Sequence, residues 1–422
     1  MAPWLCLPIL LTATAQADWG AVAPDSADRP DLSWLTRFAN KADVVATGDI
    51  NTAIDQCDQK VGHNNYCVIE LRTPEAIRPF VIDRSNTKIV ASAASKALLA
   101  VPGKATISIA SNTQKILIEN LQLAGVRSGF KPIYGIVIAG SYIQDIVVRN
   151  SRLFNFDSDS SAHGIVVLGS GANEASSIKR ITIDQNHLHD MRTGSSESIA
   201  VNGNVSNWVI SNNLIERVNN IAIDAIGGEG TVAATTVEGR VLPHALDAAR
   251  TGWIENNVVD TMTTLSNPAY GNVRSWAGAI YVDGGRSISI TGNTVRSAPW
   301  AYDIGAENCV IAEHIVLRNN SAADSYYGDL RLGGYATTGY LSANNSINCD
   351  PGTSEDINEG HGYVRHLTIA DNRFETDNPT QARIMVEYRT TASIIAEPGL
   401  EPSPGAGDGS AIGDNNAYRL SQ

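Results

Sequence analysis

Short apolar runs separated by Gly and Asn recur along most of the chain. Residues 276–307, WAGAIYVDGGRSISITGNTVRSAPWAYDIGAE, contain three such runs, at Ala279–Val282, Ser287–Ile290 and Trp300–Ile304. Each run is too short for a helix and is bounded by turn-forming residues, which is typical of short buried strands. Because a unit of this size cannot bury its own apolar face, its repetition predicts a stack of similar units.

An Asn follows the apolar run in six of these units. The six are Asn186, Asn213, Asn257, Asn293, Asn320 and Asn372. Asn tolerates the left-handed backbone that a tight turn needs. Amides stacked on their copies in neighbouring units can also hydrogen-bond along the stack. The repeat therefore predicts a turn at each Asn and a ladder of amide side chains.

The phrases ITIDQNHLHDM, WVISNNLIERV and ISITGNTVRSA resemble the repeats of right-handed parallel β-helix proteins of the pectate-lyase-like superfamily, over roughly residues 65 to 390. The resemblance implies an all-β fold with one right-handed parallel β-helix, in a carbohydrate-active protein. That scaffold carries lyases, hydrolases, epimerases and non-catalytic adhesins, so it defines no reaction. The segments 193–230 and 267–293 are also similar to a group of secreted bacterial β-helix proteins.

The N-terminal region departs from the repeat. Residues 1–17 have an apolar centre and a small-residue site, Ala15-Gln16-Ala17, which is typical of a signal peptide. Residues 18–64 are interpreted as an arm followed by a short helix that begins near Asp49 and caps the stack. The β-helix is predicted over residues 65–395, and residues 396–422 are predicted to be a loose tail.

Charge and cysteine content narrow the compartment and the partners. The 422 residues carry a formal net charge of −13, which disfavours nucleic acid or an anionic membrane as partner. No segment after the leader approaches a membrane span in length. Without the leader, and Cys6 in it, four cysteines remain, an even number that favours disulfides in a secreted or periplasmic protein. Close spacing suggests Cys57–Cys67 and therefore Cys309–Cys349, one of three connectivities.

Aligning the units on their inward apolar residues predicts which side chains share a column. The first inward column is Ile165, Ile199, Ile223, Ile280, Tyr302 and Leu330, and the next is Val167, Val201, Ala225, Val282, Ile304 and Leu332. Side chains between them point outward. That outward column is Val166, Ala200, Asp224, Tyr281, Asp303 and Arg331, flanked by His163 and Glu197 on one side and by Asn202 and Asp283 on the other.

Carboxyl groups gathered around a Tyr suit acid–base chemistry on a sugar, because one can stay protonated while another activates water. The catalytic candidates are Asp224, Asp283, Asp303 and Tyr281. The candidates for substrate binding are Arg331, Glu307, Glu229, Glu197, His163, Tyr270 and Arg274. Two interruptions of the repeat, Gly227–Gly252 and Thr263–Trp276, are predicted to be loops near this surface.

Three functions remain open. The first is hydrolysis of a glycosidic bond in a polysaccharide or oligosaccharide. The second is a polysaccharide lyase in which Tyr281 is the base and Arg331 neutralises a uronate. The third is a non-catalytic carbohydrate-binding or adhesive β-helix. The acidic surface favours the first, since a uronate must meet positive charge. No cofactor is expected; Ca²⁺ at Asp224, Asp303 or Glu307 is an option that no spacing signature supports.

Overall fold

The computed structural model describes residues 20–72, 79–92, 95–237, 240–308, 310–334, 340–341, 348–349, 362–376, 380–387, 390–391, 393–396, 403–404 and 418–420. Three long sheets, here named A, B and C, dominate this part of the chain, and all their strands pair in parallel. Successive strands pass from sheet B to A to C and back to B, so each circuit forms one coil of a right-handed β-helix. The predicted fold class is confirmed.

The strand bounds show how regular the coils are. Sheet A comprises Val44–Ala46, Cys67–Leu71, Thr87–Ala91, Gln114–Glu119, Gln144–Arg149, Ile178–Asp184, Val205–Ser211, Ala249–Glu255, Arg286–Thr291, Ile311–Arg318, Tyr363–Ala370, Thr390–Thr391, Ser393–Ala396 and Tyr418–Leu420. Sheet B comprises Phe80–Ile82, Ala105–Ile109, Ile133–Gly140, Ala162–Gly169, Ile199–Gly203, Ile223–Ile226, Gly278–Asp283, Trp300–Ala306, Gly328–Gly334, Ala382–Val386 and Ser403–Pro404. Sheet C comprises Leu98–Leu99, Gln122–Ala124, Arg152–Phe154, His187–Arg192, Leu214–Asn219, Val258–Thr263, Thr294–Arg296, Ser321–Ala323 and Arg373–Phe374.

Two short antiparallel pairs stand outside the three sheets, Thr235–Val237 with Arg240–Leu242 and Tyr340–Leu341 with Asn348–Cys349. Within the segment predicted as a loose tail, Ser403–Pro404 and Tyr418–Leu420 instead add strands to sheets B and A.

The core is the column of side chains that point inward from every coil. The first inward column of sheet B pairs residue by residue as the alternation predicts, and its six members are fully buried. Tyr302 is the polar member, and its hydroxyl donates to the carbonyl oxygens of Asn293 and Ser321, at 3.1 and 3.0 Å. The hydroxyl of Tyr302 is therefore satisfied inside the core.

The Asn ladder is confirmed and runs along the turn between sheets A and C. The Oδ1 atom of Asn257 accepts from the backbone N–H of Asn213 at 3.0 Å and from its side-chain amide at 2.9 Å. The same two bonds join each ladder Asn to the next, from Asn186 to Asn372. The six amides thus connect six coils.

The left-handed backbone lies one residue before the predicted place. The residues with positive φ immediately precede the ladder; they are Gln185, Asn212, Asn256, Gly292, Asn319 and Asp371. Each turn therefore divides two tasks between two positions. The first residue takes the left-handed conformation, and the ladder Asn that follows is turned inward, where its amide can bond.

One α-helix, Ile50–Val61, covers the N-terminal end of the stack, as predicted. The side chain of Asp49 accepts from the N–H of Asn51 and caps the helix. Its apolar face, which includes Ile54 and Cys57, belongs to the same buried core as the first strands. The Cys57–Cys67 disulfide is confirmed and joins the helix to sheet A.

An N-terminal strap, defined here as Gly20–Phe38, crosses the outer face of sheet A. At one end the N–H of Ala21 donates to Thr368 Oγ1 at 3.0 Å, and at the other Trp34 and Phe38 pack in a cluster with Leu117. Two 3-10 turns, Ser26–Asp28 and Ser33–Arg37, lie within the strap. It follows a single outward column of the sheet, whose residues are Val68, Lys88, Leu117, Val147, Thr182, Val209, Trp253, Ser289, Val316 and Thr368.

The remaining predictions about the chain ends and thiols fall on undescribed positions. The predicted signal peptide lies outside the described residues, as does Cys309, so the Cys309–Cys349 pairing stays a prediction. No helix in the described part of the chain is long and apolar enough to cross a membrane.

Candidate active site

The predicted outward column of sheet B has the expected register. Asp224 lies beside Tyr281, Tyr281 beside Asp303, and Asp303 beside Arg331, each on the next coil. Neighbouring coils are about 4.8 Å apart, so the Cα atoms of Asp224 and Asp303 are separated by about 9.6 Å. The column therefore presents one carboxyl group on each side of Tyr281.

The loop after residue 226 forms one wall of this surface. Asp247 is fully buried and its carboxylate accepts from the N–H groups of Gly230 and Val232, at 2.7 and 3.0 Å, which closes the loop on itself. Glu229 is thereby held over sheet B, where its Oε2 accepts from Asn202 Nδ2 at 2.6 Å. Burial raises the pKa of Glu229, and the charges of Asp247 and Glu307 raise it further.

The segment Thr263–Trp276 forms the opposite wall. Two fully buried polar residues fix it: Asn267 Nδ2 donates to the carbonyl of Gly194 at 2.8 Å, and Thr264 Oγ1 accepts from the N–H of Ser275 at 2.6 Å. A 3-10 turn at Pro268–Tyr270 lies within this segment. It brings Tyr270 and Trp276 to the edge of the site.

Between the two walls lies a pocket of about 350 Å³. It gathers nine of the eleven residues named as site candidates from the sequence: Glu197, Asp224, Glu229, Tyr270, Tyr281, Asp283, Asp303, Glu307 and Arg331. His163 and Arg274 do not line it. His163 lies beneath Glu197, with its Nδ1 2.9 Å from the Glu197 carbonyl oxygen and its ring stacked on Tyr134, and Arg274 faces a different pocket.

The outward column is buried rather than solvated. Asp224, Tyr281, Asp283 and Asp303 expose only 3%, 6%, 5% and 2% of their surface. The alternation of the strands correctly points them away from the core, but the two walls and the neighbouring coils cover them. Replacing one of these residues should therefore also change the stability of the fold, although the side chains point away from the core.

Asp283 and Glu307 hold Tyr281 in one orientation. The carboxylate of Asp283 accepts from the N–H of Glu307 at 2.7 Å and from Asn308 Nδ2 at 3.1 Å. Glu307 Oε1 in turn accepts from the Tyr281 hydroxyl at 2.9 Å. The Tyr281 ring lies directly over Gly305, where an added Cβ would be 2.6 Å from the Tyr281 oxygen. Only glycine therefore fits at position 305.

Arg331 is the cation of the pocket lining and has two carboxylate partners. Its Nη1 donates to Asp303 Oδ2 at 3.0 Å, and its Nε donates to Glu387 Oε2 at 2.8 Å. The other oxygen of Asp303 is buried and has no hydrogen-bond partner among the described residues. Burial raises the pKa of Asp303 to about 7, although Arg331 opposes the shift.

Asp224 is the carboxyl group with the least support from the protein. Its Oδ1 is buried without a hydrogen-bond partner in the described part of the chain. Burial raises its pKa well above the usual range, and the charges of Glu197 and Asp283 act in the same direction. Burial, followed by the charge of Glu307, also raises the pKa of Asp283. Both shifts favour the protonated, uncharged form of the carboxyl group.

Glu197 and His163 are not an ion pair despite their proximity. Nδ1 of His163 is 3.6 Å from Glu197 Oε2, too far for a hydrogen bond. Burial lowers the pKa of His163 to about 4, so its ring is neutral at physiological pH. Burial and the charge of Glu229 raise the pKa of Glu197 to about 8.

Some residues of the site had no signal in the sequence. Glu387 follows a short strand beyond the clearest repeats, and only the coil spacing brings it to Arg331. The sequence pattern places Asn202 on the outer face without indicating a role, and it gives no signal for Asn308. Trp276, 42% exposed, ends the second wall, and the sequence pattern gives no signal for its contact with the site. No group of three or more His, Cys, Asp and Glu side chains with metal-binding geometry occurs among the described residues.

Fold and site together define a right-handed parallel β-helix with a buried acidic pocket on sheet B, and the resemblance to pectate-lyase-like proteins is confirmed at the level of the fold. No protein-family model matches the chain. A protein of Bacillus subtilis (strain 168), Uncharacterized protein YwoF, is 32% identical over 160 residues, which cover 36% of this chain and 30% of that protein. The chain thus matches less than a third of that relative's length.

Solved structures with a similar architecture act on carbohydrates by different reactions. A GH136 lacto-N-biosidase from Eubacterium ramulus is 10% identical with a TM-score of 0.45, covering 85% of this chain and 62% of that one. A PL6 family polysaccharide lyase from Pseudopedobacter saltans is 12% identical with a TM-score of 0.46, covering 90% and 92%. At these identities and TM-scores the likenesses assign no reaction to this chain.

Proposed function

We propose that the protein is a secreted glycoside hydrolase that cleaves an uncharged glycan with inversion at the anomeric carbon. The observation that carries the proposal is the pair Asp224 and Asp303, two buried carboxyl groups that flank Tyr281 in one pocket, each with one unpartnered oxygen. Buried polar atoms without partners are costly, and a substrate or water is the natural partner for both.

Asp224 is suited to be the general acid. Its raised pKa favours the protonated form of the carboxyl, and its unpartnered oxygen is available to the glycosidic oxygen of a leaving group. The charge of Asp283 supports this protonation, while Asp283 itself is fixed by the N–H of Glu307 and by Asn308. A protonated acid beside ionisable carboxylates is the arrangement that acid catalysis needs at neutral pH.

Asp303 is suited to be the general base. Arg331 binds one of its oxygens and orients the carboxylate, and the other oxygen is free to accept a proton from water. A pKa of about 7 is close to the operating pH at which a base works best. The two carboxyl groups are about two coil spacings apart at Cα, close to the separation of about 6.5–9.5 Å between carboxyls that admits a water molecule in inverting hydrolases.

The lyase alternative has less support from the same residues. Burial raises the pKa of Tyr281 well above 10, and its hydroxyl already donates to Glu307, so it is a poor base. Arg331, the cation in the lining, is shared between Asp303 and Glu387 and is not free to neutralise a uronate. A purely adhesive role would not need a cluster of buried acids, which costs stability.

Secretion is supported by the Cys57–Cys67 disulfide, because disulfides persist mainly in oxidising compartments.

The test is a digestion screen over neutral and uronate-containing glycans, scored both for new reducing ends and for the ultraviolet absorbance of unsaturated products. On a cleaved neutral glycan, Asp224→Asn and Asp303→Asn should each lower turnover by about 10²- to 10⁴-fold. Asp329→Asn is the matched control, since this buried carboxylate binds the N–H of Thr376 outside the pocket. Near-normal turnover in both pocket variants, or unsaturated products, would refute the proposal.

A further inference from the structure

A second pocket, of about 360 Å³, opens where the chain passes from sheet C to sheet B. It spans several coils, because its lining comes from the turns that precede successive sheet B strands. The residues that matter here are Arg274, Asp324, Tyr326 and Gln381. Three of these four carry polar groups that can bond hydroxyls, and the fourth is a half-exposed aromatic ring, with 49% of Tyr326 accessible.

This second pocket adjoins the candidate active site. Arg274 lines the second pocket, and the next three residues, Ser275, Trp276 and Ala277, line the first. A single extended segment therefore separates them. Trp276, with 42% of its surface exposed, lies on the boundary, and the guanidinium of Arg331 is 5.6 Å from its ring centre.

A chain of aromatic contacts links the two pockets. The ring centres of Trp276 and Tyr327 are 5.3 Å apart, and those of Tyr327 and Tyr326 are 4.8 Å apart. Tyr327 also stacks against the buried Trp300, at 6.2 Å, which fixes its position. The guanidinium of Arg274 lies 3.5 Å from the centre of the Tyr326 ring. The exposed rings at both ends are thus held by a packed ring between them.

A sugar ring has an apolar face of C–H groups and an edge of hydroxyls. An exposed aromatic ring suits the face, and a neighbouring guanidinium, carboxylate or amide suits the edge. Trp276 and Tyr326 are two such exposed rings at consecutive places along one surface, and Arg274 lies beside Tyr326. Repeated sites of one kind match a ligand made of repeated units.

We propose that Tyr326 and Arg274 form a further sugar-binding subsite, so that an oligosaccharide chain held in the acidic pocket continues past Trp276 into the second pocket. The inference rests on the proposed function for the nature of the ligand, and it deepens it by making the substrate a chain rather than a disaccharide. Tyr326 then determines preference for chain length and takes no part in bond cleavage.

The test measures binding in the Asp224→Asn background, where turnover is suppressed. The probes are gluco-, xylo-, manno- and galacto-oligosaccharides from disaccharides to octasaccharides, titrated by calorimetry. In one series affinity should rise with length, and adding Tyr326→Ala should remove that rise. A lost ring contact of about 50–60 Å² lowers affinity for the longer chains roughly tenfold, with the disaccharide unchanged.

Two further variants make the test specific. Tyr326→Phe keeps the ring and should retain the length dependence. Tyr142→Ala removes a Tyr that is equally exposed, at 49%, but lies about six coils away, and it should change nothing. Affinity that is independent of length, equal affinities with and without the Tyr326 ring, or no binding in any series would each overturn the inference.

The two proposals fail separately. Length-dependent binding that Tyr326→Ala abolishes, without new reducing ends from the unsubstituted protein, would leave the subsite standing and refute hydrolysis. New reducing ends from the unsubstituted protein, with affinities unaffected by Tyr326→Ala, would support hydrolysis and refute the subsite.

Discussion

Replacing Asn257 by Ala tests whether the amide ladder holds the coils together. The Asn257 side chain is fully buried and makes four hydrogen bonds. Its Oδ1 accepts from the N–H and the amide of Asn213, and its Nδ2 donates to the carbonyl of Ile210 and to Asn293 Oδ1, all at 2.9 to 3.0 Å. In the Ala variant the side-chain amides of Asn213 and Asn293 keep other partners. The backbone N–H of Asn213 and the carbonyl of Ile210 lose the hydrogen bond that Asn257 gave them. At about 1–3 kcal/mol for each buried unsatisfied group, the free energy of unfolding should fall by about 2–6 kcal/mol.

The preceding residue, Asn256, is the matched control. It is exposed and has φ of 53°, a conformation that glycine adopts freely, so Asn256→Gly should shift the free energy of unfolding by less than about 1 kcal/mol. Both variants are compared with the unsubstituted protein by urea denaturation followed by fluorescence, using the midpoint and the slope.

The reasoning would be refuted by equal effects at the two positions. In that case the buried amides would contribute no more than the turn itself, and water or a local rearrangement would satisfy the groups that Asn257 leaves.

Three further predictions concern ionisation, mechanism and thiol pairing. The folded pKa of Glu197 is about 8, above its unfolded value near 4.5, so the protein loses stability as the pH rises through this window. Glu197→Gln should remove a few kcal/mol of that loss, at about 1.4 kcal/mol per pKa unit. Parallel curves of stability against pH for the two proteins would contradict the shift. Tyr281→Phe should retain a substantial part of turnover on a cleaved glycan, and near-complete loss would instead favour the lyase. Peptide mapping of the non-reduced protein should find Cys309 joined to Cys349, and free thiols at both would disprove the pairing.

The sequence could predict the coils and their register because alternation leaves little freedom. A shift of one residue would turn Ile223 and Ile280 away from the core and turn charged residues such as Asp224 into it, so only one alignment is compatible with the core. That alignment was enough to place Asp224, Tyr281, Asp303 and Arg331 in one column. Coil spacing then gave their approximate separation without any knowledge of side-chain contacts.

Burial of the column could not be predicted, because it depends on how the two loops fold. The bond from Asn267 to Gly194 and the closure of the Glu229 loop by Asp247 join residues with no periodic relation. Glu387 was missed for a similar reason, since nothing near it repeats. The misplaced left-handed residue has a different origin: two adjacent Asn residues, such as Asn256 and Asn257, look alike in sequence while one is exposed and the other is buried.

The strap has a consequence for how the chain is made. Ala21 binds Thr368, and 347 residues separate them in the chain. At translation rates of about 5–20 residues per second, roughly 20–70 s pass between the synthesis of the strap and that of its last binding site. Trp34 and Phe38 can pack on the first coils early, because their partner Leu117 is made soon after them. The other end of the strap, at Ala21, has no Thr368 to bind until the late coils are made, and until then it is open to other contacts.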